Sequence, residues 1–321
     1  MKVLVITPEW PTPDKPNIVP FLVRQITYLR KHNIDIDIFH IKGNQSYYSY
    51  IDAFLKLRKI INKYDLIHCQ WGYTILPVIF SRKTIITTFR GGDLGGICNE
   101  KGNQTIKGYL LKFFSKVAAL KSKELILVSP HMRKKLTFSK RPKTVIPSGL
   151  EFDKLIIKNK QELRKKYDYD PNIIYVLFPY NIKRLEKRYS LLKEALDLSD
   201  IKDRYKIENV TNVSHEEILE RIQAVDFVIL TSKFEGSPNI VKESLALNTP
   251  VVSVDVGDVK YRLKDISGCF VSKTDTAKSI SEEINKASRY NYELYDSRKY
   301  VLDLDEEILI KKVINIYCRS I

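Results

Sequence analysis

The amino-acid sequence predicts an α/β protein of two doubly wound domains, each a parallel sheet covered by helices. Three observations lead there. At 321 residues the chain is too long for one ordinary core, and two domains of about 150 residues each are the natural division. Short, nearly continuous apolar runs alternate with helix-like segments, which is how strands buried on both faces of a parallel sheet read in sequence. The alternation runs once, breaks at a Pro-Ser-Gly turn and charged stretch within 147–160, and begins again.

In the first cycle the apolar runs predict strands at 3–7, 34–38, 66–69, 84–89, 125–128 and 144–146, with helices at 21–31, 51–63, 105–122 and 131–136. The second predicts strands at 173–178, 205–208, 227–231, 251–254 and 268–271, with helices at 187–196, 215–223, 238–246 and 276–287. Domains are therefore expected at 1–150 and 151–303. In the remaining stretch, 304–321, residues Ile308, Leu309, Val313, Ile316 and Tyr317 fall on one face of a helix. That face must dock, and the first domain is its expected partner.

Composition narrows the class. Hydrophobic residues are 44% of the chain and charged ones 29%, so a globular protein is expected. The net charge of +16 draws nucleic acid, anionic lipid surfaces or phosphorylated small molecules. The aromatic residues lie within strand and helix patterns where packing explains them, so nucleic acid is not an expected partner. Cys69, Cys98, Cys269 and Cys318 show no metal-ligand spacing. Residues 1–8 carry an apolar run shorter than a signal-peptide core, and no stretch reaches the ~20 apolar residues of a membrane span. A cytoplasmic protein is the expectation.

Chemistry concentrates where predicted strands end. After the 227–231 strand comes Phe234-Glu-Gly-Ser-Pro-Asn-Ile-Val-Lys-Glu243. Ser237 is placed at the N-cap and Pro238 at the first helical position, the sites both residue types favour. The free amides and dipole of such a helix start receive an anion, most simply a diphosphate. Glu235 and Glu243 flank it and can accept hydrogen bonds from sugar or ribose hydroxyls. Geometry alone leaves open the plainer reading of a capped helix with two solvated acids.

Glu235 and Glu243, seven residues apart in that setting, resemble the E-x7-E signature of the retaining glycosyltransferases of family four, which have the GT-B fold. Residues 246–258 extend the resemblance toward bacterial surface-polysaccharide members. It implies two Rossmann-like domains facing across a cleft and transfer of a sugar from a nucleotide-diphosphate donor, uridine- or guanosine-linked, to a glycan or lipid-linked glycan hydroxyl. No cofactor or metal is implied beyond that co-substrate. Glu235 would hold donor-sugar hydroxyls, Gly236, Ser237, Pro238, Asn239 and Ile240 would face sugar and phosphates, and Glu243 would bind the ribose. Members keep the anomeric configuration by a front-face route in which the donor phosphate takes the acceptor's proton.

Further segments fit the same pattern. Arg184 and Lys187, after the 173–178 strand, resemble the family's cation pair on the diphosphate, although Arg188 stands where a glycine is usual. Cations there suit a leaving group of growing charge. Thr87-Thr-Phe-Arg-Gly-Gly-Asp93 resembles the family's Thr-Phe-His-Gly-Ser-Asp, with Arg90 in place of histidine as a donor contact and Asp93 orienting it or meeting the acceptor. His68 and Trp71, in Ile67-His-Cys-Gln-Trp-Gly72, are acceptor-side candidates by resemblance, although a histidine at a strand end is more often structural. The proline-rich first loop, 8–20, lacks the glycine pair usual in the family. A catalytically silent nucleotide-sugar-binding or scaffold protein of the same fold is the alternative function. Residues 107–123 read either as a basic amphipathic helix resting on an anionic membrane or as a core-packed helix with solvated lysines.

Overall fold

A computed structural model describes every residue except 17, 43–45, 97–103, 212 and 294, so Cys98 lies outside the described residues. The chain divides into two units, Met1–Gly149 together with Glu306–Ile321, and Leu150–Asp305.

The first unit runs β1 (Lys2–Thr7), α1 (Pro20–Lys31), β2 (Asp35–His40), α2 (Tyr47–Ile60), β3 (Leu66–Gln70), β4 (Thr84–Phe89), α3 (Gly92–Gly95), α4 (Ile106–Lys121), β5 (Glu124–Leu127) and β6 (Lys143–Val145). The second runs α5 (Lys160–Lys166), β7 (Ile174–Phe178), α6 (Tyr189–Asp197), β8 (Tyr205–Asn209), α7 (His215–Ala224), β9 (Phe227–Leu230), α8 (Asn239–Ala246), β10 (Val251–Ser253), α9 (Val259–Leu263), β11 (Phe270–Val271) and α10 (Ala277–Arg289). The chain closes with α11 (Glu306–Ser320), which belongs to the first unit and packs on α1.

Every pairing in both sheets is parallel. The first sheet has the order β2-β1-β3-β4-β5-β6 and the second β11-β10-β9-β7-β8. Val3, Leu4, Val5 and Ile6 of β1 are all buried, as are Phe227 to Leu230 of β9, because helices cover both faces. The order reverses beside the opening strand of each unit, between β1 and β3 in one sheet and between β7 and β9 in the other. Ligands of open α/β sheets bind outside the carboxyl ends of strands at such reversals.

Expected and observed elements differ mainly at their ends. The 131–136 segment is a 3-10 helix, Pro130–Leu136, and the predicted 51–63 helix is α2 followed by a 3-10 turn, Ile61–Lys63. The short helices α3, α5 and α9 and the 3-10 segment Gly72–Val78 carried too few periodic apolar residues to predict.

One buried ion pair fixes the chain's return into the first unit. Arg24 of α1 donates from Nε to Glu306 Oε2 at 3.3 Å and from Nη2 to the Gly149 carbonyl at 2.6 Å. A Cβ on Gly149 would lie 2.8 Å from the Glu306 Cα, so only glycine fits there. Arg24→Met should cost about 3–5 kcal/mol in urea unfolding by removing the guanidinium from the buried Glu306 carboxylate. Arg24→Met combined with Glu306→Leu should recover most of that loss, which a contact of packing alone would not.

Candidate active site

In the second unit the strand-order reversal gathers charge. The chain leaves β7 through Pro179 and Tyr180 and reaches a 3-10 turn, Leu185–Lys187, while β9 empties toward Glu235 and Gly236. Lys187, buried in this turn, donates from Nζ to Glu235 Oε1 at 2.5 Å. Its ammonium also lies 3.7 Å from the centroid of the Tyr180 ring, and the Tyr180 hydroxyl donates to the same Oε1 at 3.1 Å. Glu235 Oε2 makes no hydrogen bond among the described residues. Burial pushes the Lys187 ammonium down from the ordinary lysine range, and the Glu235 charge opposes it. Burial and Glu235 hold the Tyr180 phenol far above its usual value, so it stays a donor.

Backbone contacts tie the two loops together. Thr231 Oγ1 donates to the Lys187 carbonyl at 2.8 Å, the Lys233 amide to the Glu186 carbonyl at 2.8 Å, and Arg188 Nε to the Thr231 carbonyl at 2.6 Å. Arg188 takes a left-handed conformation, φ 54, and pairs through Nη1 with Asp275 Oδ2 at 2.6 Å. That contact holds the Asp275 carboxyl below its usual range. Arg184 does not join the cluster by contact: its guanidinium binds Glu186 at 2.6 Å, although its charge is felt at Lys187 and Tyr180.

The helix after Glu235 begins one residue later than expected. Asn239 is the first residue of α8 and Pro238 the N-cap, with no side chain capping the start. Ser237 is not the cap because its hydroxyl donates to Asp258 Oδ2 at 2.8 Å, an oxygen that also receives Arg262 Nε at 2.8 Å. Gly257, φ +61, brings its backbone so close that a Cβ would stand 2.7 Å from the Gly236 carbonyl. The first α8 amides thus keep their capacity to bind an anion. Asn239 Oδ1 is buried without a hydrogen-bond partner among the described residues. Ile240 is buried below this start. One helical face further along, the buried Glu243 receives or shares a proton with His215 Nε2, 3.0 Å from its Oε1.

In the first unit Arg90 follows β4 beside the end of β3. It donates to Gln70 Oε1 from Nη2 at 2.6 Å and from Nε at 3.2 Å, and to Ser148 Oγ from Nη1 at 3.2 Å. Phe21 lies 4.4 Å from its guanidinium and Trp71 5.6 Å, measured to the ring centroids. Burial lowers its pKa to about 10, so it remains a cation at neutral pH. Trp71 is partly exposed, at φ 76.

Of the two roles expected for Asp93, the structure shows the orienting one: it is buried and accepts the amides of Gly72 and Gly91 at 2.9 Å, Leu94 at 3.1 Å and Arg90 at 3.2 Å. It closes the loop that carries Arg90. His68 is likewise interior, with Nδ1 2.6 Å from the Tyr317 hydroxyl and Nε2 2.7 Å from Thr88 Oγ1. Burial, then the Arg90 charge, depress its pKa to about 3, which keeps the ring neutral. Tyr180, Asp258 and His215 were not singled out in the sequence. Asp258 closes the 246–258 stretch and Tyr180 follows the 173–178 strand, but only folding shows what they touch.

Comparison with known proteins agrees with this fold. Residues 154–300 match the family model described as "Glycosyl transferases group 1", which covers the second unit but less than half of the chain. An uncharacterized glycosyltransferase of Methanocaldococcus jannaschii is 24% identical over 308 residues, covering 80% of this chain and 71% of that protein. Sucrose-phosphate synthase of Thermosynechococcus elongatus has a similar structure, with TM-score 0.79 at 15% identity over 99% of this chain and 98% of that one. HepE of Anabaena, solved with UDP and glucose, gives TM-score 0.75 at 14% identity over 99% and 100%. The fold is therefore GT-B, two parallel-sheet α/β domains, and the match to its second domain supports a glycosyltransferase.

Proposed function

We propose that this protein is a retaining, metal-independent glycosyltransferase of family four that moves a sugar from a UDP- or GDP-linked donor to an acceptor hydroxyl. The observation that carries the reading is the Lys187–Glu235–Tyr180 cluster, its lysine buried and its acid and phenol partly exposed, at the strand-order reversal beside the uncapped start of α8. A buried ion pair contributes little net stability. Its retention at a ligand-binding edge is better explained by what it does to a ligand.

On this reading the donor diphosphate lies at the first amides of α8, near Asn239 and Ile240. Lys187 supplies the charge that stabilises the departing phosphate oxygen, with Arg184 assisting after release from Glu186. Glu235 receives donor-sugar hydroxyls, and Glu243, positioned by His215, receives those of the ribose. The acceptor oxygen forms a bond to the anomeric carbon on the face from which the phosphate oxygen leaves, and the acceptor's proton passes to that phosphate. Arg90, held by Gln70 and Ser148, is a further contact for phosphate or sugar. Positioning and leaving-group stabilisation then do most of the catalysis. The resemblance of residues 246–258 to surface-polysaccharide members supports a glycan or lipid-linked glycan acceptor in capsule or lipopolysaccharide assembly. That chemistry would run on the cytoplasmic side, with the protein held peripherally at the inner membrane face.

Two measurements test the reading. Saturating UDP or GDP should raise the thermal midpoint, by an amount equivalent to about 3 kcal/mol at a hundred times Kd. Glu243→Ala should remove most of that rise, and a wild-type midpoint unmoved by either nucleotide counts against the proposal. With the cognate donor, Lys187→Met should lower kcat by about 100-fold or more, and the wild-type rate should persist in chelator. A protein that binds nucleotide yet turns over no donor, even by hydrolysis, is the silent relative instead.

A further inference from the structure

Helix α4 buries its small residues and exposes several of its large apolar ones. Gly108, Ser115, Ala118 and Ala119 face the protein, and the helix lies so close to the 3-10 segment Gly72–Val78 that a Cβ on Gly72 would meet Ser115 at 2.7 Å. Leu111 and Phe114 are partly buried against the core, but five large apolar residues point outward: Ile106 is 82% exposed, Tyr109 62%, Leu110 53%, Phe113 58% and Leu120 53%. Their spacing places them on one stripe along the helix, opposite the small residues. On that same wheel Lys112 and Lys116 border one side of the stripe and Lys107 and Lys121 the other. No acidic residue occurs between Thr105 and Lys123. The stripe continues past the helix. Ser139 and Arg141 bond the carbonyls of Ala119 and Leu120, which sets the exposed Phe138, with Lys140 and Arg141, beside its C-terminal end.

We propose that the outward face of α4, extended by Phe138, is a docking surface for an anionic lipid bilayer. An apolar stripe bordered by lysines on both sides suits the boundary between acyl chains and anionic headgroups, where lysine stems run along apolar surface and their ammonium groups reach the phosphates. A second copy of this chain is a poorer occupant, because pairing two such faces sets lysines against lysines. The surface commits to a membrane and is independent of the residues assigned to catalysis.

The test is sedimentation of the full chain with phosphatidylcholine vesicles, with and without phosphatidylglycerol. Binding should be at least about tenfold stronger to the anionic vesicles and should weaken as salt rises. Leu110→Glu with Phe113→Glu should reduce it about tenfold or more, and Lys112→Gln with Lys116→Gln should flatten its salt dependence. Both variants should keep the wild-type thermal midpoint and its response to nucleotide. Equal affinity for neutral and anionic vesicles, or undiminished binding by the glutamate variant, overturns the proposal. So does concentration-dependent dimerisation that the glutamate variant abolishes, since a second copy would then cover the face. Loss of vesicle binding with nucleotide response intact leaves the catalytic reading standing, and loss of nucleotide response alone leaves this one.

Discussion

The second unit is organised around one ion pair, Lys187 to Glu235. Removing an ammonium and a carboxylate from water costs several kcal/mol each in a protein interior, and attraction between them only partly offsets this. The surrounding residues reduce the deficit. Tyr180 gives the cation an aromatic face and the anion a hydroxyl donor, and the Thr231, Lys233 and Arg188 contacts hold both loops at fixed separation. Both partners converge on Oε1 of Glu235, and its other oxygen makes no hydrogen bond among the described residues.

The parallel sheet explains why these residues meet although 48 positions separate them. In a parallel sheet every strand delivers its carboxyl end to one edge, and the reversal of strand order leaves adjacent ends without a crossover helix between them. β7 contributes Tyr180 and Lys187 to this gap, and β9 contributes Glu235 and the start of α8. In the first unit the comparable cluster lies one strand beyond the β1–β3 reversal and has a different chemistry. There the ends of β3 and β4 offer Gln70, Trp71 and Arg90, and a buried carboxylate, Asp93, fastens the loop by backbone amides. A cation set by hydrogen bonds on one side and aromatic rings on the other is pre-organised and has little rotamer freedom left to lose.

Much of this was legible in the sequence because it is local. The 84–89 strand was predicted with the bounds observed, since six residues of unbroken β-branched and aromatic character admit little else. The E-x7-E spacing located Glu235 and Glu243 correctly on either side of a helix start. What the sequence could not convey depends on distant partners. Ser237 was assigned to cap α8 from its neighbours, but Asp258, 21 residues on, takes its hydroxyl. His68 at a strand end read as either structural or acceptor-side, and its contact with Tyr317, 249 residues away, decides for the structural role. Arg184 looked equivalent to Lys187, and only the turn geometry shows one pointing to Glu186 and the other to Glu235. Short 3-10 segments such as Gly72–Val78, with an internal proline, leave no helical period to detect.

Arg188 shows how a departure from a familiar pattern can preserve the geometry that the pattern serves. The backbone there is left-handed, which costs a residue with a Cβ about 1–2 kcal/mol and glycine almost nothing. That conformation accounts for glycine being usual after the lysine in the family this chain resembles. The arginine accepts the strain and offsets it with bonds to the Thr231 carbonyl and to Asp275, neither of which glycine could form. The first of these bonds reaches the end of β9, the strand that leads to Glu235. The substitution therefore fastens the Lys187 turn to the loop that holds its partner, and replaces backbone permissiveness with side-chain anchoring.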